Sequence, residues 1–275
     1  MVKITVLLEN FSVDNQYKTR HGLSVLINYN DDVILLDVGP DNKFIQNAVT
    51  MNIDLSKVKY LFLSHNHRDH TGGINDFIKA NNTARIYLMD STDSRYYAKR
   101  YFLYVPIGMM LKQANYSKIT QLSEDIIIDN KIYFIKNNFN DHVKPTFNTA
   151  MYKKDDGKTV HDTFDHEGIL VLEDNNELLI FNSCSHNGIL NIIETVRKKI
   201  PDKKIRSYTG GLHLCNPGTK KHESNDYLDY LAEEIRKMEI RIFTGHCTGK
   251  YAINYMKEKL GSAIQEINTG MRLDI

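Results

Sequence analysis

Three histidines and an aspartate stand within six residues, His65-Asn66-His67-Arg68-Asp69-His70, directly after the apolar run Tyr60–Leu63. Neutral imidazole and carboxylate are the ligands that a hard-to-borderline divalent metal takes. His65 and His67 are two apart, so they point the same way only if the chain is extended or looping out of a strand. Asp69 and His70 are adjacent and must diverge, which suits two metal ions better than one. Thr71-Gly72-Gly73 then opens a segment with apolar residues at helical spacing, Ile74, Phe77 and Ile78. A strand, a ligand-bearing turn and a helix are therefore expected here, because chance histidines in a surface loop seldom fall into this order.

The elements around this turn must hold it in place. Lys3–Glu9, Gly22–Asn28 and Val33–Val38 read as strands, the last two joined by the polar cluster Tyr29-Asn30-Asp31-Asp32. The third strand ends on Asp37-Val38-Gly39-Pro40, which sets a carboxylate in apolar surroundings. Such a carboxylate either caps a turn or accepts the N–H of a metal-ligating histidine and fixes its tautomer. Residues 43–51 have helical spacing, 57–63 form the strand feeding the histidines, and 84–89 form another strand.

From about residue 91 to 165 the alternation of strand and helix lapses. Arg95, Tyr96, Tyr97, Arg100 and Tyr101 mix basic with aromatic side chains, and a strand over 126–135 is broken by Asp129-Asn130. A long irregular stretch in a compact domain is commonly a lid or binding loop, so this segment is expected to be an insertion roofing the metal site. A hairpin follows over 168–182. Three further strand-to-helix turns then carry histidine: His186 before the helix 189–199, His213 after the strand 205–209, and His246 after the strand 241–244. Strand C-termini in such sheets line one edge, where ligands collect. Six of the eleven histidines sit in these four turns; His21, His142, His161, His166 and His222 have no comparable context.

At 275 residues, 41% apolar and 25% charged, the chain reads as one globular domain over 1–275 with a substantial core. A formal charge of +1 argues against a dedicated nucleic-acid binder. No window offers the roughly 20 apolar residues of a membrane span, and the N-terminus lacks a signal-peptide core. Cys184, Cys215 and Cys247 are an odd, dispersed set and make no disulfide framework. A reducing cytoplasm is the simplest expectation. Oligomeric state is not readable.

The H-x-H-x-D-H string resembles the signature of the metallo-β-lactamase superfamily. The strings Cys184-Ser185-His186-Asn187-Gly188-Ile189, Gly210-Gly211-Leu212-His213-Leu214, His246-Cys247-Thr248-Gly249 and His21-Gly22-Leu23-Ser24 are similar to its dihydropteroate-synthase-like branch. The resemblance implies an α/β, four-layer αββα sandwich with an inserted lid, and two divalent metal ions, zinc first, with manganese or iron as alternatives. It implies one metal on His65, His67 and His186 and another on Asp69, His70 and His246, with Asp37 behind them. The chain departs from the usual pattern at Gly-Gly-Leu-His-Leu, where relatives place a metal-bridging aspartate. His213 is the strong ligand type in that turn, expected either as a ligand to one metal or as a donor to the substrate.

The chemistry expected is metal-assisted hydrolysis, with a metal-activated hydroxide oriented by Asp69. Two dications less Asp69 and that hydroxide leave a charge of about +2, which favours an anionic substrate such as a phosphoester or diphosphate. The turns ending at Gly73, Gly188 and Thr248-Gly249 add helix N-termini, a ready anion site. Arg95, Tyr96, Tyr97, Arg100 and Tyr101 offer contacts to a planar ring and its phosphate, or else form a solvated amphipathic segment. The branch includes a synthase of methanopterin biosynthesis that joins a dihydropterin diphosphate to a ribofuranosyl-aminobenzene phosphate. A pterin-type transferase is therefore the alternative activity, and an iron-dependent redox enzyme a third.

Overall fold

The computed structural model describes residues 2–89 and 95–275. Residues 91–94, where the expected insertion would begin, lie outside the described residues. The chain forms two compact units. The first comprises Met1–Glu124, Thr149–Gly168 and Asn268–Ile275, and the second Asp125–Asn148 and Ile169–Ile267.

The first unit is built on a seven-stranded mixed sheet. It begins with β1 (Lys3–Leu8), β2 (Ser24–Tyr29) and β3 (Asp32–Leu36), which pair antiparallel. It continues in parallel through β4 (Tyr60–Leu63), β5 (Arg85–Leu88) and β8 (Ile119–Gln121), with β18 (Arg272–Asp274) on the outer side of β1. All four residues of β4 are buried, the mark of a parallel strand covered on both faces. Helices α1 (Lys43–Thr50), α2 (Arg68–Thr71) and α3 (Ile74–Ala80) belong to the same unit. Phe44 and Ala48 of α1 and Ile74, Phe77 and Ile78 of α3 pack with Leu35, Leu61 and Leu63 in one apolar cluster. The expected third strand stops two residues early, because Asp37 turns into the left-handed region at φ 58°. The expected strand over 57–63 starts only at Tyr60, since Asp54 caps a short 3₁₀ turn over Leu55–Lys57.

A separate four-stranded sheet in this unit has the order β12 (Lys158–His161), β11 (Met151–Asp155), β6 (Tyr96–Arg100) and β7 (Leu103–Pro106). The stretch expected as one insertion is thus divided. Its ends make this small sheet, Ile119–Gln121 is an edge strand of the seven-stranded sheet, and Ile126–Lys136 belongs to the second unit.

The second unit has its own seven-stranded mixed sheet. Its order is β17 (Ile264–Glu266), β16 (Arg241–Thr244), β15 (Lys204–Thr209), β14 (Glu177–Phe181), β13 (Gly168–Asp174), β10 (Ile132–Lys136) and β9 (Ile126–Ile128). β14 through β17 run parallel, and β13–β14 is the expected hairpin. Helices α4 (Ile189–Lys199), α5 (Asn225–Met238) and α6 (Lys250–Leu260) connect the parallel strands. Their buried faces, including Ile192, Ile193, Leu228, Leu231 and Met256, form one core with Val171, Ile180 and Ile242. Among the described residues, no helix is long and apolar enough to cross a membrane.

Candidate metal centre

In the first unit, β4 delivers the chain to His65, and the turn carries it into α2, which holds Asp69 and His70. Gly72 permits this tight exit: a Cβ there would lie 2.1 Å from the Pro40 carbonyl oxygen. The imidazoles of His65, His67 and His70 converge, with ring centroids 4.6 Å apart for His65–His67 and 4.3 Å for His65–His70. All three are buried.

Asp37 organises the cluster from beneath. Its carboxylate accepts from the Ser64 backbone N–H at 2.7 Å, the Ser64 hydroxyl at 2.6 Å and His70 Nδ1 at 2.8 Å. Because Ser64 spends its only hydroxyl proton on Asp37, its oxygen accepts from His65 Nδ1, 2.9 Å away. Both His65 and His70 therefore hold a proton on Nδ1 and keep Nε2 for the cluster. Burial, then the neighbouring His70 and His67, push the His65 imidazole well below its ordinary range, so it is neutral and able to ligate. Burial also lowers His67. His70 behaves oppositely: burial is outweighed by the Asp69 and Asp37 carboxylates, which raise it to about 10. A cation at this position would stand in for that proton.

Other residues join the first-unit cluster that the local sequence pattern did not indicate. His21 Nε2 lies 3.4 Å from Asp69 Oδ2. The Asn66 backbone N–H donates to His166 Nδ1 at 3.1 Å, which leaves His166 Nε2 to donate to Asp162 at 3.1 Å. His67, Asp162 and His166 could themselves hold a metal ion, and the two histidines hold the Asp162 carboxyl far below its usual range against the effect of burial. Tyr96 is buried with its ring 4.2 Å from His166 and 5.9 Å from His67. The rest of the basic-aromatic stretch is placed otherwise. Arg95 is exposed, Tyr97 is half-buried, and Arg100 and Tyr101 are exposed at the β6–β7 turn.

In the second unit, β14, β15 and β16 are adjacent and parallel, so the turns after them share one sheet edge. Those turns carry His186, His213 and His246, all buried. The rings of His186 and His213 lie 4.2 Å apart. Asn148 holds His186 by two bonds: its Oδ1 accepts from Nδ1 at 3.0 Å, and its Nδ2 donates to the His186 carbonyl at 2.6 Å. Nε2 of His186 thereby keeps its lone pair. Neither ring nitrogen of His213 has a hydrogen-bond partner among the described residues. A buried polar atom left so costs roughly 1–3 kcal/mol, which a ligand would offset. Beside it lie Cys184 and Cys247, also buried, their sulfurs 3.4 Å apart. Thr248 is fully buried, its hydroxyl accepting from the Leu212 N–H and bonded to Thr244 Oγ1. It is thereby built into the turn itself.

Backbone strain collects at the same places. Asp37, Ser185, His213 and His246 all have positive φ between 50° and 58°, a conformation that costs a non-glycine residue about 1–2 kcal/mol and clusters at functional sites. Buried imidazoles beside the Asp69 carboxylate in the first unit, and buried imidazoles beside a pair of thiols in the second, are donors that a borderline divalent cation takes. The residues fit a metal.

Residues 17–131 match the sequence profile of the metallo-beta-lactamase superfamily. The chain is 27% identical, over 98% of its length and 95% of the relative's, to the 7,8-dihydropterin-6-methyl-4-(beta-D-ribofuranosyl)-aminobenzene-5'-phosphate synthase of Methanocaldococcus jannaschii. An uncharacterized protein of the same organism is 26% identical over 93% of this chain and 94% of its own. Among solved structures, Tm1679, a metal-dependent hydrolase of the beta-lactamase superfamily, superposes with a TM-score of 0.83 at 23% identity, covering 100% of this chain and 99% of that one. That last likeness is one of fold, an α/β fold with two mixed sheets. The profile match spans the histidine motif, and the chain has the metallo-β-lactamase fold.

Proposed function

We propose that this enzyme is a metal-dependent hydrolase of a small anionic molecule, a phosphoester or diphosphate, working with two divalent cations, zinc in the first instance. The observation that carries the reading is the buried His65/His67/His70 cluster, in which Asp37 and Ser64 fix Nδ1 protons and leave Nε2 as the donor atom. The proposed ligands are His65, His67, His70 and Asp69 in the first unit and His186 and His246 in the second. When bound, such cations polarise a scissile bond and acidify water near neutral pH.

The chain's own residues supply the rest. Asp69 accepts a proton from, and orients, the attacking water, and His21 beside it shares its carboxylate. Asp37 and Asn148 hold their histidines in one tautomer. His213 donates to the anion from a ring whose nitrogens have no hydrogen-bond partner among the described residues. Helices α4 and α6 start at Gly188 and Gly249 with no side-chain cap, so their first-turn N–H groups add positive potential beside His186 and His246. Lys144, bonded to Asn187 at 2.7 Å, adds a cation next to the first of these turns. Tyr96, Tyr97, Arg95, Arg100 and Tyr101 remain the proposed contacts to a ring-bearing substrate, with Tyr96 the one packed against the first-unit cluster.

The full-length similarity to the Methanocaldococcus synthase favours one second reading, transfer of the activated group to an amine-bearing acceptor instead of water. Metal-reconstituted protein given a panel of phosphoesters and diphosphates, with and without an aromatic amine, separates the two by product. His65→Ala and His186→Ala are each expected to lose metal and turnover with the fold retained, and His142→Ala to lose neither. Full metal content in both ligand variants would refute the assignment.

A further inference from the structure

We propose that Cys184, Cys247 and His213 form an additional site for one thiophilic divalent cation such as zinc, built entirely within the second unit. The three side chains are 3%, 4% and 3% exposed, and one ligand atom from each lies within 4.8 Å of the others. The two sulfurs are 3.4 Å apart. A tetrahedral zinc with sulfur at about 2.3 Å spaces its thiolates roughly 3.7 Å apart, so a shift of a few tenths of an ångström admits the ion.

Two independent features point to a ligand here. His213 is buried with both ring nitrogens lacking hydrogen-bond partners among the described residues, and it is held there by left-handed backbone at φ 54°. The turn is also shaped around the Cys247 sulfur. The His213 backbone N–H donates to it at 3.3 Å, which stabilises a thiolate. At Gly211 a Cβ would lie 2.5 Å from the same sulfur, so glycine keeps room for it.

The charges suit burial. A dication with two thiolates and a neutral imidazole is neutral overall, and binding releases the two thiol protons to solvent. Three protein ligands leave one coordination position open, the arrangement of a reactive rather than a closed structural zinc site. With one ring nitrogen on the cation, the other must carry the proton. This would make His213 a fixed donor toward the substrate, a corollary that rests on the hydrolase reading, whereas the site does not.

The test uses full-length protein stripped of metal, kept reduced and titrated with cobalt(II). Wild type is expected to show near-ultraviolet thiolate-to-cobalt charge transfer. Cys184→Ser, Cys247→Ser and His213→Ala should lose or strongly weaken the band, while Cys215→Ser and His65→Ala keep it. Because a serine variant can misfold, X-ray absorption of zinc-loaded wild type is read alongside, with sulfur neighbours at about 2.3 Å expected. Zinc with only nitrogen and oxygen neighbours overturns the proposal, as does a cobalt band that survives in both serine variants. A Cys184–Cys247 disulfide persisting under reductant overturns it too. A band without turnover on any phosphoester would instead count against the hydrolase reading alone.

Discussion

Asparagine in place of Asp37 removes one charge at the point where three hydrogen bonds converge. One carboxylate oxygen takes the Ser64 backbone N–H, and the other takes both the Ser64 hydroxyl and His70 Nδ1. An amide has a single acceptor oxygen, so in either orientation its NH₂ faces at least one of these donors. Losing one hydrogen bond to a charged group costs about 1.5–3 kcal/mol, and loss of a partner that orients a metal ligand typically weakens metal binding by roughly 10–100-fold. Protonation supplies a second readout. In metal-free protein His70 is raised to about 10, against about 6.5 in the unfolded chain. A histidine raised on folding gives stability that is complete below about pH 6.5 and disappears as pH climbs through about 10. The shift corresponds to about 5 kcal/mol at most. In Asp37→Asn this alkaline loss should shrink and begin at lower pH. Urea unfolding of chelator-treated protein across this range, with metal affinity measured by chelator competition, tests both effects. Affinity within about threefold of wild type, together with an unchanged stability–pH curve, would refute the role given to Asp37.

Asn148→Ala should release the His186 ring and lower metal affinity by roughly tenfold with little change in thermal unfolding; equal affinity by chelator competition would show that Asn148 does not position this ligand. Gly72→Ala places a methyl 2.1 Å from the Pro40 carbonyl oxygen. It should cost about 2–3 kcal/mol in urea unfolding, and a loss under about 0.5 kcal/mol, the range of a neutral surface change, would mean that the turn yields easily.

The histidine string was legible because its geometry is local: a buried strand, a turn and a short helix supply four of the six proposed ligands from six consecutive residues. The strand–turn–helix cycles around His186, His213 and His246 were legible for the same reason, through hydrophobic periods and punctuating glycines. Asp37 was legible as a carboxylate ending an apolar strand. His166 and Asn148 were not. His166 meets Asn66 across 100 positions and Asn148 meets His186 across 38, and neither stands in a pattern of its own. The Cys184–Cys247 pair, 63 residues apart, gave no signal beyond an odd cysteine count. The small sheet was missed because its strands are short and substantially exposed. All four residues of Lys158–His161 are exposed, so no alternation of apolar and polar residues marks them. Ile119–Gln121 and Ile126–Ile128 are only three residues each, and their partners in the large sheets are set by topology.

The left-handed residues bear on how such a protein can change. At Ser185, His213 and His246, glycine would relieve the backbone. Yet the strained side chains include two of the proposed functional groups, His213 and His246. Glycine at those two positions would exchange backbone strain for the loss of a donor atom. A screen that rewards only resistance to heat would therefore meet tempting replacements at the positions where chemistry is proposed, and could arrive at a sturdier protein with an empty repertoire. Selection for turnover and selection for robustness pull in opposite directions at these turns. Mutational tolerance should accordingly be mapped there under both pressures.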